Sequence, residues 1–227
     1  MISPKIPGSA LAFIALFFLI LATNAHGAKI DSGSVGFRMG GSEPRLNGDF
    51  DVELDSTRFL GFTAGGRAGR FSFDLATDFF NTQLATEVHQ TFRTPDLTPH
   101  RFDRFETDFK VSRFLFSAYV HFFKEHRVFD PYIGFGFGPY FFDPEDTRTL
   151  SGRPFKVEMH NTFVTEIKIG ADVHIGRWVS IGAQIRRVSG DTDIRIIDLG
   201  GTASPVQETH EIKSVEFTWI TKVHFGR

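Results

Sequence analysis

From Val157 to Gly176 the run VEMHNTFVTEIKIGADVHIG sorts into two sets with a period of two. Val157, Met159, Asn161, Phe163, Thr165, Ile167, Ile169, Ala171, Val173 and Ile175 form one set. Glu158, His160, Thr162, Val164, Glu166, Lys168, Gly170, Asp172 and His174 form the other. Successive side chains of a β-strand point to opposite faces, so the run predicts a strand with one apolar and one charged face.

The same split recurs along the chain. Val35, Phe37 and Met39 alternate with Ser34, Gly36 and Arg38; Phe71, Phe73, Leu75 and Phe79 with Ser72, Asp74, Ala76 and Asp78. Phe114, Phe116, Ala118, Val120 and Phe122 alternate with Arg113, Ser117, Tyr119 and His121. Ile133, Phe135 and Phe137 alternate with Tyr132, Gly134, Gly136 and Gly138; Val179, Ile181, Ala183 and Ile185 with Ser180, Gly182, Gln184 and Arg186. Val215, Phe217, Trp219, Val223 and Phe225 alternate with Glu216, Thr218, Lys222 and His224. Arg58 to Gly66 is strand-like without an assignable phase, which makes eight strands. Between them, long connections (41–56, 81–104, 143–156, 189–208) alternate strictly with short ones (67–69, 124–127, 176–177). All long loops therefore fall at one end of the sheet and all tight turns at the other.

Met1 to Ala25 has another character: a single charge at Lys5, thirteen apolar residues from Ala10 to Ala22, then Thr23 and Ala25 at signal-peptidase spacing, with Ala25 and Gly27 as a second option. A transmembrane helix needs about 20 apolar residues, so this segment reads as a cleaved Sec signal peptide over 1–25. The remainder, 26–227, reads as one domain. With no cysteine, the chain has no disulfide framework, thiolate zinc site or cysteine nucleophile. Twenty-five basic against 27 acidic residues leave no nucleic-acid footprint.

Eight sequential antiparallel strands can close on themselves and remove both sheet edges. Alternation alone does not say which face turns inward. A lipocalin-like soluble carrier would enclose the apolar set, whereas a membrane barrel would turn it to lipid. Three features favour lipid: the mixed-sign cluster Glu166, Lys168 and Asp172, the loop asymmetry, and aromatics where strands meet their connections. Those aromatics are Trp178 and Phe123 near the turns, with Phe79, Phe80, Tyr140, Phe141 and Phe142 near the long loops, as two interfacial girdles. The expected fold is all-β: an eight-stranded antiparallel up-and-down transmembrane β-barrel with four long outer loops and three short periplasmic turns. Its lumen is too narrow for an open channel. A structural polar network of Arg38, Asp74, Asp78, Arg113, Glu166, Lys168, Asp172, Arg186, Glu216 and Lys222 is expected to fill it, joined by His121, Gln184 and His224. Glycines 134, 136, 138, 170 and 182 leave room for long side chains opposite.

PYIGFGFGPYFF (131–142) and the hairpin GADVHIGRWVSIGAQIRRV (170–188) resemble the outer-membrane β-barrel family that includes OmpA, OmpX, OmpW and opacity-type proteins. The resemblance implies a Gram-negative outer membrane, with outer-membrane lipid, lipopolysaccharide and the barrel assembly machinery as partners. Members usually end on an aromatic residue; here Phe225 is followed by Gly226 and Arg227. The lipid A deacylase of this architecture carries His two residues before its Ser; here Arg187 precedes Ser189, so no general base stands there. His89, His100, His160 and His210 lie at the long-loop end without metal-ligand spacing. The expected protein is thus a monomeric, non-enzymatic barrel without cofactor or metal. It acts as a structural and surface-interaction protein through its extracellular loops. The alternatives are a lipid A-modifying enzyme or an OmpW-like passage for small or apolar molecules.

Overall fold

The computed structural model describes residues 31–47, 51–87, 104–123, 128–149, 155–199 and 205–226. The expected leader over 1–25, His89, His100 and the 124–127 turn lie outside the described residues.

The described residues form ten strands: β1 (Ser32–Asn47), β2 (Asp51–Leu54), β3 (Thr57–Ala68), β4 (Phe71–Glu87), β5 (Arg104–His121), β6 (Phe129–Thr149), β7 (Phe155–Met159), β8 (Thr162–Ile175), β9 (Val179–Asp198) and β10 (Val206–Phe225). β2 and β3 both pair with β4, at Leu54↔Leu84 and Phe59↔Phe80, and so make one stave. β7 and β8 do the same along β9, at Met159↔Ile194 and Val164↔Gly190. Ten segments are therefore eight staves. All pairings are antiparallel, and β10 pairs with both β9 and β1, which closes the barrel. Two tight turns use left-handed glycine, Gly69 at φ 60° and Gly176 at φ 69°, a conformation that a Cβ disfavours.

The faces sort as the middle of each strand requires. Phe62, Phe135, Ile167, Ile169, Phe217 and Trp219 are exposed on the outside, while Arg38, Arg113 and Arg186 are at most 1% exposed within. A continuous girdle of exposed Phe, Ile, Val and Trp far exceeds the patches that soluble monomers show, and suits acyl chains.

Toward the loop end this sorting inverts. On β9 the inward positions run Gln184, Arg186, Val188, Thr192, Ile194, Ile196, while the outward ones change from Ile181 and Ile185 to Arg187, Asp191 and Arg195. On β10 and β5 the same change brings Ile212, Val111 and Phe109 inside and leaves Lys213 and Lys110 outside. A charged outer face suits water, and burying apolar surface away from water is favourable by about 25 cal/mol per Å². A second core results, built from Leu46, Leu84, Leu115, Val157, Met159, Val164 and Ile194 among others.

This inversion corrects several expectations. Much of the four expected long loops is strand: β1 runs to Asn47, β4 to Glu87, β6 to Thr149 and β9 to Asp198. Val157 and Met159 point inward, opposite to Phe163 and Ile167, because the break at His160 and Asn161 between β7 and β8 shifts the phase by one residue. Tyr140 is buried, and Phe80 and Phe142 pack on the inner core, so none of the three belongs to an outer girdle. The phase of β3 is now defined: Arg58, Leu60 and Phe62 face out, and Phe59 faces in.

Candidate functional site

Every polar residue expected inside the barrel lies there, and the mid-lumen members touch. β5 supplies Arg113, whose Nε donates to Asp78 Oδ2 at 2.8 Å and whose Nη1 and Nη2 donate to the two Glu216 oxygens at 2.6 and 2.7 Å. Nη1 also reaches Tyr140 OH at 2.5 Å. β9 supplies Arg186, which donates to Glu216 Oε2 at 2.5 Å, Asp78 Oδ2 at 2.9 Å and Glu166 Oε2 at 3.4 Å. Lys168 Nζ lies 2.5 Å from Glu166 Oε1 and donates to Ser117 Oγ at 2.7 Å. The arginine forks match carboxylate geometry, so each guanidinium ties strands from opposite sides of the barrel.

Phe59 completes this belt. Two guanidinium groups approach its ring, with Arg113 Cζ 4.7 Å and Arg186 Cζ 4.9 Å from the centroid. Desolvated cations over an aromatic face are attracted by its quadrupole. Sequence reasoning missed Phe59 because the glycines and small residues from Gly61 to Gly66 obscure the period.

Below the belt, Tyr119 OH donates to Asp74 Oδ2 at 2.7 Å, and Lys222 Nζ to Asp172 Oδ2 at 3.0 Å. Arg38 is the exception: it is buried, its nitrogens lack hydrogen-bond partners, and its nearest carboxylate oxygen, on Asp78, is 3.7 Å away. At the turn end a water-sized cavity is lined by Arg67, Ser72, His121, His174 and His224 among others. Ser72 Oγ lies 2.7 Å from His121 Nε2, and His121 Nδ1 lies 2.9 Å from Asp130 Oδ2. This has the order of a nucleophilic triad. However, the Arg67 guanidinium occupies the same carboxylate oxygen, and His174 Nε2 lies 3.8 Å from it. An acid already neutralised by arginine is a poor orienter for a general base.

The loop-end histidines stay apart from the belt. His160 is half exposed, 3.9 Å from Asp193, and His210 is buried beside Glu208 at 3.3 Å. Among the described residues no group of three His, Cys, Asp or Glu side chains is arranged to hold a metal ion. On the outer rim Lys110 pairs with Glu145, whose hydrogen bond raises the ammonium pKa above its ordinary value.

The glycines do make room. A Cβ at Gly136 would lie 2.4 Å from Glu166 Oε1, and one at Gly138 only 1.8 Å from the Phe114 carbonyl oxygen. At Gly41 it would meet nothing nearer than Thr57 O at 3.8 Å. Gly138→Ala must move backbone and is expected to cost about 1–3 kcal/mol. Gly41→Ala should leave stability within about 0.5 kcal/mol of the parent. Urea titration of both variants in one detergent checks the ranking; equal costs would contradict the close approach at Gly138.

No protein-family model matches the chain, and no curated protein matches it. Solved structures do. The outer membrane protein OprG from Pseudomonas aeruginosa is similar at 15% identity and TM-score 0.65, over 88% of this chain and 99% of that one. The outer membrane protein AlkL, determined in DMPC bilayers, is similar at 16% identity and TM-score 0.52, over 88% of this chain and 93% of that one. At these identities the likeness is one of fold: a closed eight-stranded barrel of the outer-membrane type.

Proposed function

We propose that this chain is an integral, monomeric barrel of a Gram-negative outer membrane. It acts as a closed structural and surface-interaction scaffold, not as an enzyme, with its long-strand end facing the exterior. A Sec signal over 1–25 exports it, the barrel assembly machinery inserts it, and lipid and lipopolysaccharide surround it. The observation that carries this reading is the double seal of the lumen. A belt of hydrogen-bonded ion pairs crosses the middle, and an apolar core fills the loop-end half above it. A solute crossing the barrel would have to displace Leu115, Val164 and Val188, then break charge pairs that lie out of water. The fold shared with outer membrane proteins, one of them determined in a bilayer, supports the placement. Recognition then rests on the strand extensions and connections at the loop end, held by a rigid scaffold.

Planar bilayers test it. The inserted protein should hold the conductance of the bare membrane, and Lys168→Met should lower thermal stability while leaving conductance unchanged. Steady conductance, or a rise in the variant without loss of stability, transfers the case to narrow passage. Incubation with lipid A should release no fatty acid; release would establish an enzyme.

A further inference from the structure

The outer wall carries a groove that the scaffold reading leaves unused. The register Ile185↔Phe217↔Gly41↔Arg58 runs across β9, β10, β1 and β3 on the outer face, with Arg187↔Val215↔Glu43 above it. Gly41 has no side chain, so this row sinks in the middle and leaves a cavity of about 470 Å³. Ile185, Val215 and Phe217 wall it on one side, and Arg58, Ser56 and Glu43 on the other. It lies where the outer surface changes from apolar to charged: Leu60 and Phe79 sit below, Asn81 and Lys110 level with Arg58. Lys110 is engaged by Glu145, whereas Arg58 and Arg187 are exposed and have no ion-pair partner among the described residues.

We infer that this groove binds a lipid A-type molecule, an acylated disaccharide with a phosphate at each end. One acyl chain lies over Gly41 against Phe217, Val215 and Ile185. Arg58 and Arg187 take the two phosphates, since guanidinium forks pair with phosphate oxygens. The spacing selects this occupant over a glycerophospholipid. Three strand intervals separate the arginines, roughly 15 Å between backbones, which suits two phosphates across a disaccharide and not the single phosphate of a phosphodiester headgroup. The inference rests on the proposed orientation, because it needs the loop end to face the outer leaflet.

The test is native mass spectrometry of the purified full-length barrel in detergent with added bis-phosphorylated lipid A, monophosphoryl lipid A or phosphatidylglycerol. The barrel should retain one lipid A, monophosphoryl lipid A more weakly, and phosphatidylglycerol least. Arg58→Ser with Arg187→Ser should weaken lipid A retention about tenfold or more. Gly41→Leu, which keeps both charges and whose Cβ meets nothing nearer than Thr57 O at 3.8 Å, should weaken it comparably by filling the floor. Equal retention in all three proteins, phosphatidylglycerol bound as tightly as lipid A, or a second copy of the chain in place of lipid overturns the proposal. Binding in detergent does not depend on cellular orientation. Protease accessibility of the loop end in intact cells tests that separately, so the two failures are distinguishable.

Discussion

Arg186→Met is expected to destabilise the barrel by about 3–5 kcal/mol, the range for removing one partner of a buried ion pair. The guanidinium touches Glu216, Asp78 and Glu166, all out of water, so its loss leaves three carboxylates short of a cation. The Phe59 ring also loses one of the two charges that approach it. Against a typical total of about 5–15 kcal/mol, that brings the barrel close to unfolding at room temperature. Arg38→Met is the comparison. It too removes a buried cation, but one whose nitrogens make no hydrogen bonds and whose nearest carboxylate is 3.7 Å away. If directional bonding holds the belt, Arg38→Met should cost far less than Arg186→Met. Urea midpoints in a common detergent decide it, and equal losses would show that net charge, not geometry, is what matters in the lumen.

The second large effect is expected on the other face. Ile169 stands in the middle of the apolar girdle, 59% exposed, between Ile133 and Ile185 on the neighbouring strands. In lipid, Ile169→Arg should cost roughly 2–4 kcal/mol, the range for a basic side chain near the bilayer midplane. Asp191→Arg, also facing outward but beyond the girdle on β9, should change stability by less than about 0.5 kcal/mol. Folding each variant into phosphatidylcholine vesicles and comparing urea midpoints measures the difference. A free exchange at Ile169 would mean that the exposed apolar surface meets water, and would return the case to a soluble carrier.

Much of the fold is legible because one period governs the middle of every strand. Phe135 against Gly134 and Ile167 against Lys168 assign opposite faces without reference to the rest of the chain. The charged members of the belt are legible for the same reason, since each is the charged partner of an apolar neighbour. Their contacts are not. Nothing local says that Arg113, 103 positions from Glu216, takes both of its oxygens, or that Phe59 receives two guanidinium groups. Those contacts follow from closure and from how strands from opposite walls meet across the lumen.

The loop end shows where local reading fails. Ile194 and Arg195 alternate as cleanly as Ile167 and Lys168, yet here the isoleucine is inside. The pattern states only that two faces differ; the medium outside decides which face each set takes, and the medium changes along the strand. Strand period and the identity of the polar interior belong to the amino-acid order alone, because each depends on neighbours one or two positions apart. Strand length, the apolar second core, the inward turn of Val157, Met159 and Tyr140, and the glycine-floored groove belong to the closed barrel. They depend on where lipid ends and water begins, and on which distant residues closure places side by side.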